Sequence, residues 1–126
     1  YVSHYQWAHL LIHPARYEAA GIVCSEAAAF GVPTITNAAG GLATTVEDGV
    51  SGIVLPRGSS ADKYVQTVQQ LLASPDLYQS MSRGSRKRYE EELNWTAAVK
   101  KILAAFESIN YRITDRPVRS LQNAEN

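Results

Sequence analysis

The stretch from Ala8 to Thr36 leaves few folds open to this chain. Ala8-His9-Leu10-Leu11-Ile12-His13 is a short apolar run closed by Pro14, as expected of a strand buried on both faces of a parallel sheet. A loop carrying Arg16-Tyr17-Glu18 follows, then a helix from roughly Ile22 to Phe30. Gly31 stands where a left-handed helix stop is expected. Pro33-Thr34-Ile35-Thr36 reads as the next strand, proline being tolerated at a strand's first residue. Strand, acidic loop, helix, glycine and strand make one crossover unit, which predicts an α/β fold with a parallel sheet. At 100° per residue Val23, Ala27 and Phe30 share the helix face expected on the sheet, with Glu26 at its rim.

Further along, Asn37 to Thr45 is a small-residue loop containing Gly40-Gly41, Glu47-Asp48-Gly49 a turn, and Gly52-Ile53-Val54-Leu55 a third short strand. Ser59 or Ser60 can cap a helix whose apolar positions are Ala61, Tyr64, Val65, Val68, Leu71 and Leu72. Ser74-Pro75 opens a second helix running to about Glu92, with Gly84 weakening its middle. Asn94-Trp95 opens a third, on which Trp95, Val99, Ile102, Leu103, Phe106 and Ile109 form one apolar stripe. Trp7 and Trp95 are expected as core anchors. Residues 111–126 are polar without a clear period and read as a tail; residues 1–110 read as part of one domain. Three strands make a thin sheet whose open edge calls for cover, and the chain starts at Tyr1 without a methionine. A piece of a longer protein is the expectation.

Composition narrows the function classes. Twelve basic side chains balance twelve acidic ones, which gives no electrostatic case for nucleic acid. Cys24 is the only cysteine, so no internal disulfide forms and a reducing compartment is expected; within a helix of alanines it reads as a small buried hydrophobe. No apolar run is long enough to cross a bilayer and no signal peptide is visible, so a cytoplasmic location is expected. His4, His9 and His13 lack metal-ligand spacing. Arg83, Arg86, Lys87 and Arg88 precede Glu90-Glu91-Glu92 and predict a self-paired, solvated helix surface.

In open α/β sheets ligands bind outside the carboxyl ends of the strands, where Pro14 to Ile22 belong. The amino end of the helix near Gly21-Ile22-Val23 offers unpaired N–H groups and partial positive charge for a phosphate, and Gly21 lets backbone approach closely. Glu18 can accept hydrogen bonds from sugar hydroxyls, and Glu26, one turn in, can hold a diol such as a ribose. The pair is expected to bracket one glycine-floored pocket.

Glu18 and Glu26 form an E-x7-E arrangement, followed by Ala27 and by Gly31-Val32-Pro33. Gly40-Gly41-Leu42, Glu47-Asp48-Gly49-Val50-Ser51-Gly52 and Asn94-Trp95 come after it in order. Together these resemble the retaining, nucleotide-sugar-dependent glycosyltransferases of the GT-B fold, family 4, over about residues 8 to 110. His13-Pro14-Ala15 with Glu18-Ala19-Ala20-Gly21 is similar to the lipopolysaccharide-core glucosyltransferases within it. The resemblance implies part of a Rossmann-like carboxyl-terminal domain that holds the donor. It implies Glu18 as the catalytic and donor-sugar contact, Ala20, Gly21, Ile22 and Val23 along the diphosphate, and Glu26 on the ribose. It implies no cofactor and no metal ion, a nucleotide-sugar donor (UDP-glucose preferred), and a glycan or lipid-linked acceptor bound by an amino-terminal domain outside this chain. Peripheral membrane contact of the parent and self-association of the fragment are compatible partners; nucleic acid is not. The chain alone is expected to lack transfer activity and to bind nucleotide-sugar weakly or not at all. Ala43 and Thr44 replace the proline and glutamate usual after Gly40-Gly41-Leu42. The competing readings are a nucleotide-sugar 2-epimerase and a non-catalytic sugar-nucleotide-binding or assembly module.

Overall fold

The computed structural model describes residues 2–108. Helix α1 (Val2–Trp7), for which the sequence shows no helical period, precedes strand β1 (Leu11–His13). Helix α2 (Ile22–Ala29), strand β2 (Thr34–Asn37), the short α3 (Leu42–Thr45) and strand β3 (Gly52–Leu55) follow. The three strands are parallel in the order β1-β2-β3, with Leu11 opposite Thr34 and Thr34 opposite Gly52. Helices α4 (Ala61–Leu72), α5 (Pro75–Arg88) and α6 (Trp95–Ser108) complete the described chain.

All four residues of β2 are buried, because a core lies on each side of the sheet. Ile35, Leu55, Tyr64, Leu71 and Met81 form one core with α4 and α5. Cys24, Ala39, Leu42 and Val46 form the other, beneath α2 and α3. Gly31 takes the expected left-handed conformation, φ 69°, and Ser60 caps α4 by accepting from the Lys63 N–H. Ser82 and Ser85 of α5 donate to the carbonyls of Gly31 and Val32 at 2.7 and 3.1 Å, tying α5 to the entry of β2.

Several expectations are corrected. Strand β1 begins at Leu11 rather than Ala8. The buried face of α2 is Cys24, Ala27 and Ala28, not Val23, Ala27 and Phe30; small side chains let the helix backbone lie close to the sheet, and Phe30 instead stacks on Tyr5 of α1 at 5.8 Å. Gly84 is required by packing: a Cβ there would stand 2.2 Å from the Val50 carbonyl oxygen. The second helix ends at Arg88 and continues as a π-helical turn over Tyr89–Leu93, closed by Asn94, whose side chain donates to the Tyr89 and Glu90 carbonyls.

Trp7 and Trp95 are not core anchors; they are 79% and 87% exposed. Helix α6 buries none of its residues. Its apolar stripe is present, but no described element lies over it. The basic cluster does pair with the acidic run, Arg86 with Glu90 at 2.7 Å and Lys87 with Glu91 at 3.9 Å. Arg88 pairs with Glu92 at 3.6 Å and in addition donates to the Thr44 and Thr45 carbonyls and to Glu47, closing the end of α3. Ile109 and the 111–126 tail fall outside the described residues.

Candidate donor-binding site

The loop between β1 and α2 is held from below by backbone contacts that only glycine permits. A Cβ on Gly40 would stand 1.8 Å from the Glu18 carbonyl oxygen, and one on Gly41 2.1 Å from that of Ala19. The Gly41 N–H donates to the Glu18 carbonyl at 3.2 Å, and the Thr45 hydroxyl donates to the Ala20 carbonyl at 2.5 Å. Gly21, φ 67°, turns the chain into α2 as its N-cap and brings no capping side chain of its own. A Cβ there would meet Leu42 at 2.5 Å. Loop and helix entry are therefore preset before any ligand arrives.

Upstream, the carboxamide of Asn37 at the end of β2 clamps Ala15. Its Oδ1 accepts from the Ala15 N–H at 2.9 Å and its Nδ2 donates to the Ala15 carbonyl at 2.7 Å. The Thr36 hydroxyl donates to the His13 carbonyl at 2.8 Å. After β3, Arg57 Nη2 donates to the Arg16 carbonyl at 3.3 Å, and its guanidinium lies 5.3 Å from the Tyr17 ring centroid. Asn37 and Arg57 are not among the residues the sequence singles out, and His13 is named there only for its spacing and its place in the His13-Pro14-Ala15 resemblance, not as a partner of Glu18. The signals were faint: a polar residue ending a buried strand, an arginine after the third strand, and a histidine five places before Glu18.

Glu18 lines a hollow with Arg16, Tyr17, Ala19, Gly40 and Arg57. Its Oε1 accepts from the Ala19 N–H at 3.0 Å and its Oε2 lies 3.3 Å from His13 Nε2. The Gly21 N–H, then the His13 imidazole, hold this carboxyl below its ordinary value, with the Ala20 and Ala19 N–H groups adding to them against a smaller opposing effect of burial. An anion at this place is thus favoured by the backbone itself.

Glu26 lies elsewhere. It accepts from the Tyr5 hydroxyl at 2.9 Å and lines a second, mostly apolar hollow with Val2, Tyr5, Ile22, Phe30 and Trp95. The two carboxylates do not share one pocket; they flank the amino-terminal turn of α2. Between them Ile22 is 70% exposed, Ala20 is exposed and Val23 half-buried. Gly21 is buried, which places its backbone beneath this surface. Burial raises the Cys24 thiol to about 11, with the Glu18 charge adding to it and a hydrogen bond with Thr34 opposing, so the residue serves packing. Among the described residues no group of three or more His, Cys, Asp or Glu is placed to hold a metal ion. No described helix is long and apolar enough to cross a membrane.

A parallel sheet with crossover α2, an acidic loop at the strand carboxyl ends and a glycine-supported helix entry define a Rossmann-like domain of the GT-B kind. Residues 1–88 match the family described as glycosyl transferases group 1, and the chain belongs to that family. The D-inositol 3-phosphate glycosyltransferase of Geodermatophilus obscurus is 36% identical over 104 residues, 82% of this chain and 22% of that protein. The crystal structure of WaaG, a glycosyltransferase involved in lipopolysaccharide biosynthesis, is 29% identical with a TM-score of 0.66, covering 77% of this chain and 26% of WaaG. Anabaena HepE, solved in complex with UDP-glucose, is 19% identical with a TM-score of 0.72, covering 82% of this chain and 29% of HepE, a likeness of fold alone. The chain spans about a quarter of the length of these relatives. The matched family and these relatives are glycosyltransferases, which does not favour the epimerase or the non-catalytic reading.

Proposed function

We propose that this chain holds the nucleotide-sugar donor of a retaining glycosyltransferase, draped over the amino-terminal turn of α2. The donor sugar's hydroxyls meet Glu18 on one side. The diphosphate crosses Ala20, Gly21, Ile22 and Val23, where the Ile22 and Val23 N–H groups and the positive helix end take its charge without a metal ion. The ribose meets Glu26 on the other side, exchanging the Tyr5 hydroxyl for its diol. Two hollows flanking one ridge suit this ligand better than a single pocket, because its sugar, diphosphate and nucleoside are strung in a line.

The observation that carries the reading is the preset loop: Gly40 and Gly41 press on the Glu18 and Ala19 backbone while Gly21 opens α2 beside Glu18 with no side chain of its own in the way. Chemically, such a site contributes position and charge stabilisation of the departing diphosphate, with the leaving phosphate assisting the incoming hydroxyl on the same face. UDP-glucose is the preferred donor, the acceptor is a glycan or lipid-linked hydroxyl held by the rest of a complete enzyme, and the setting is cytoplasmic.

Titrating the 126-residue chain with UDP-glucose and following backbone amide shifts tests this. Weak, saturable shifts confined to residues 18–26 are expected, reduced about tenfold in Glu18→Gln, as for one lost charge-assisted contact. Shifts absent at saturating concentration, or centred on another surface, refute it.

A further inference from the structure

We propose that a third hollow, at the carboxyl ends of β1 and β3, binds the phosphate of a phosphorylated sugar. The hollow measures about 480 Å³, and Arg16, Tyr17, Arg57, Ser59 and Tyr64 face it without any carboxylate in its wall. Neither Arg16 nor Arg57 makes an ion pair among the described residues. Arg57 is nevertheless fixed, by its bond to the Arg16 carbonyl and by the Tyr17 ring beneath it. Two unpaired guanidiniums, one held in place, match the several oxygens and double charge of a phosphomonoester.

Two further features converge there. Helix α4, twelve residues long, starts beside the hollow, so the positive end of its dipole adds to the arginines. Tyr64 is 9% exposed and lines the hollow, yet its hydroxyl makes no hydrogen bond among the described residues. Burial raises its pKa, keeping the hydroxyl protonated and a donor. The hydroxyl faces the open hollow, where a phosphate oxygen would give it an acceptor. The Tyr17 ring, 85% exposed, offers a flat apolar face of the kind on which a sugar ring packs.

Arg16, Tyr17 and Arg57 line both this hollow and that of Glu18. A sugar anchored by its phosphate is therefore a neighbour of the Glu18 hollow. The binding claim goes beyond the donor reading and stands apart from it; only an acceptor role for that sugar rests on it.

The test is amide-shift titration of the 126-residue chain with glucose 6-phosphate, glucose and inorganic phosphate. Saturable shifts at Arg57 and Ser59 to Asp62 are expected with glucose 6-phosphate and none with glucose. Inorganic phosphate should bind at least about tenfold more weakly, and Arg57→Gln should weaken glucose 6-phosphate about tenfold. Tyr64→Phe, which keeps the ring in the core, should weaken it by about threefold. No saturable shift at those amides, shifts that survive Arg57→Gln, or equal affinity for inorganic phosphate would each overturn the proposal. UDP is titrated separately: silence at residues 18–26 with intact shifts at 57–62 sinks the donor reading and leaves this one standing.

Discussion

The acidic loop and the closing helix α6 are both built on patterns evident in the sequence, yet they end in opposite physical states. The loop 14–21 is clasped from below by the backbone of Gly40 and Gly41, so closely that a single added methyl group would collide, and by the Thr45 hydroxyl. Helix α6 carries a stripe of Trp95, Val99, Ile102, Leu103 and Phe106 with every one of them about half exposed or more. An apolar period specifies that a helix forms and which way it faces, but not what it meets. A glycine pair at a given spacing specifies less about local structure and, here, more about tertiary contact.

The sharpest way to break this contrast is Gly40→Ala. Its Cβ would overlap the Glu18 carbonyl, and φ 52° disfavours any L side chain, so a loss of about 3 kcal/mol or more is expected in urea unfolding. A value near zero would mean the loop is not clasped. Gly84→Ala comes next. Helix propensity alone would gain about 1 kcal/mol, but overlap with the Val50 carbonyl should turn the sign to a loss of about 1–3 kcal/mol. Gly49→Ala is the control, having open space and only its φ of 76° to oppose it, at about 1 kcal/mol.

Smaller still is the electrostatic imprint of the loop. Glu18 should titrate below its ordinary value of 4.5, read from the carboxyl carbon shift. A depressed folded pKa means its stabilising contribution is complete above the ordinary value and fades as pH falls through the lower folded one. His13→Phe should move the midpoint upward; an unmoved midpoint would remove His13 from the account. At the opposite end, Trp95→Ala on α6 should change stability by no more than about 0.5 kcal/mol. A large loss would show that the stripe is covered after all.

Much of the fold was legible. The crossover unit gave β1, α2 and β2 in parallel because a buried strand, an αL glycine and a proline-led strand each have one local meaning. The boundaries of β3 were readable for the same reason, and the cap of α4 to within Ser59 or Ser60, of which the structure uses Ser60. The buried face of α2 is not legible in the sequence because three alanines and a cysteine carry almost no amphipathic signal. At the site, Glu18, Gly21 and the glycine pair were evident as a linked set. The clamp of Asn37 and the stacking of Arg57 on Tyr17 were not, since each joins residues more than twenty positions apart in sequence.

By itself the sequence determined the alternation of strand and helix, the place of each turn that needs a glycine, and membership of one transferase family. These are local or pattern properties, set by backbone sterics and side-chain periodicity. Tertiary structure alone decided that Glu18 and Glu26 look into separate hollows, that both tryptophans face outward, and that two arginines and a tyrosine meet at the strand ends. Those outcomes depend on which surfaces the folded backbone brings together, and no single stretch of chain contains that information.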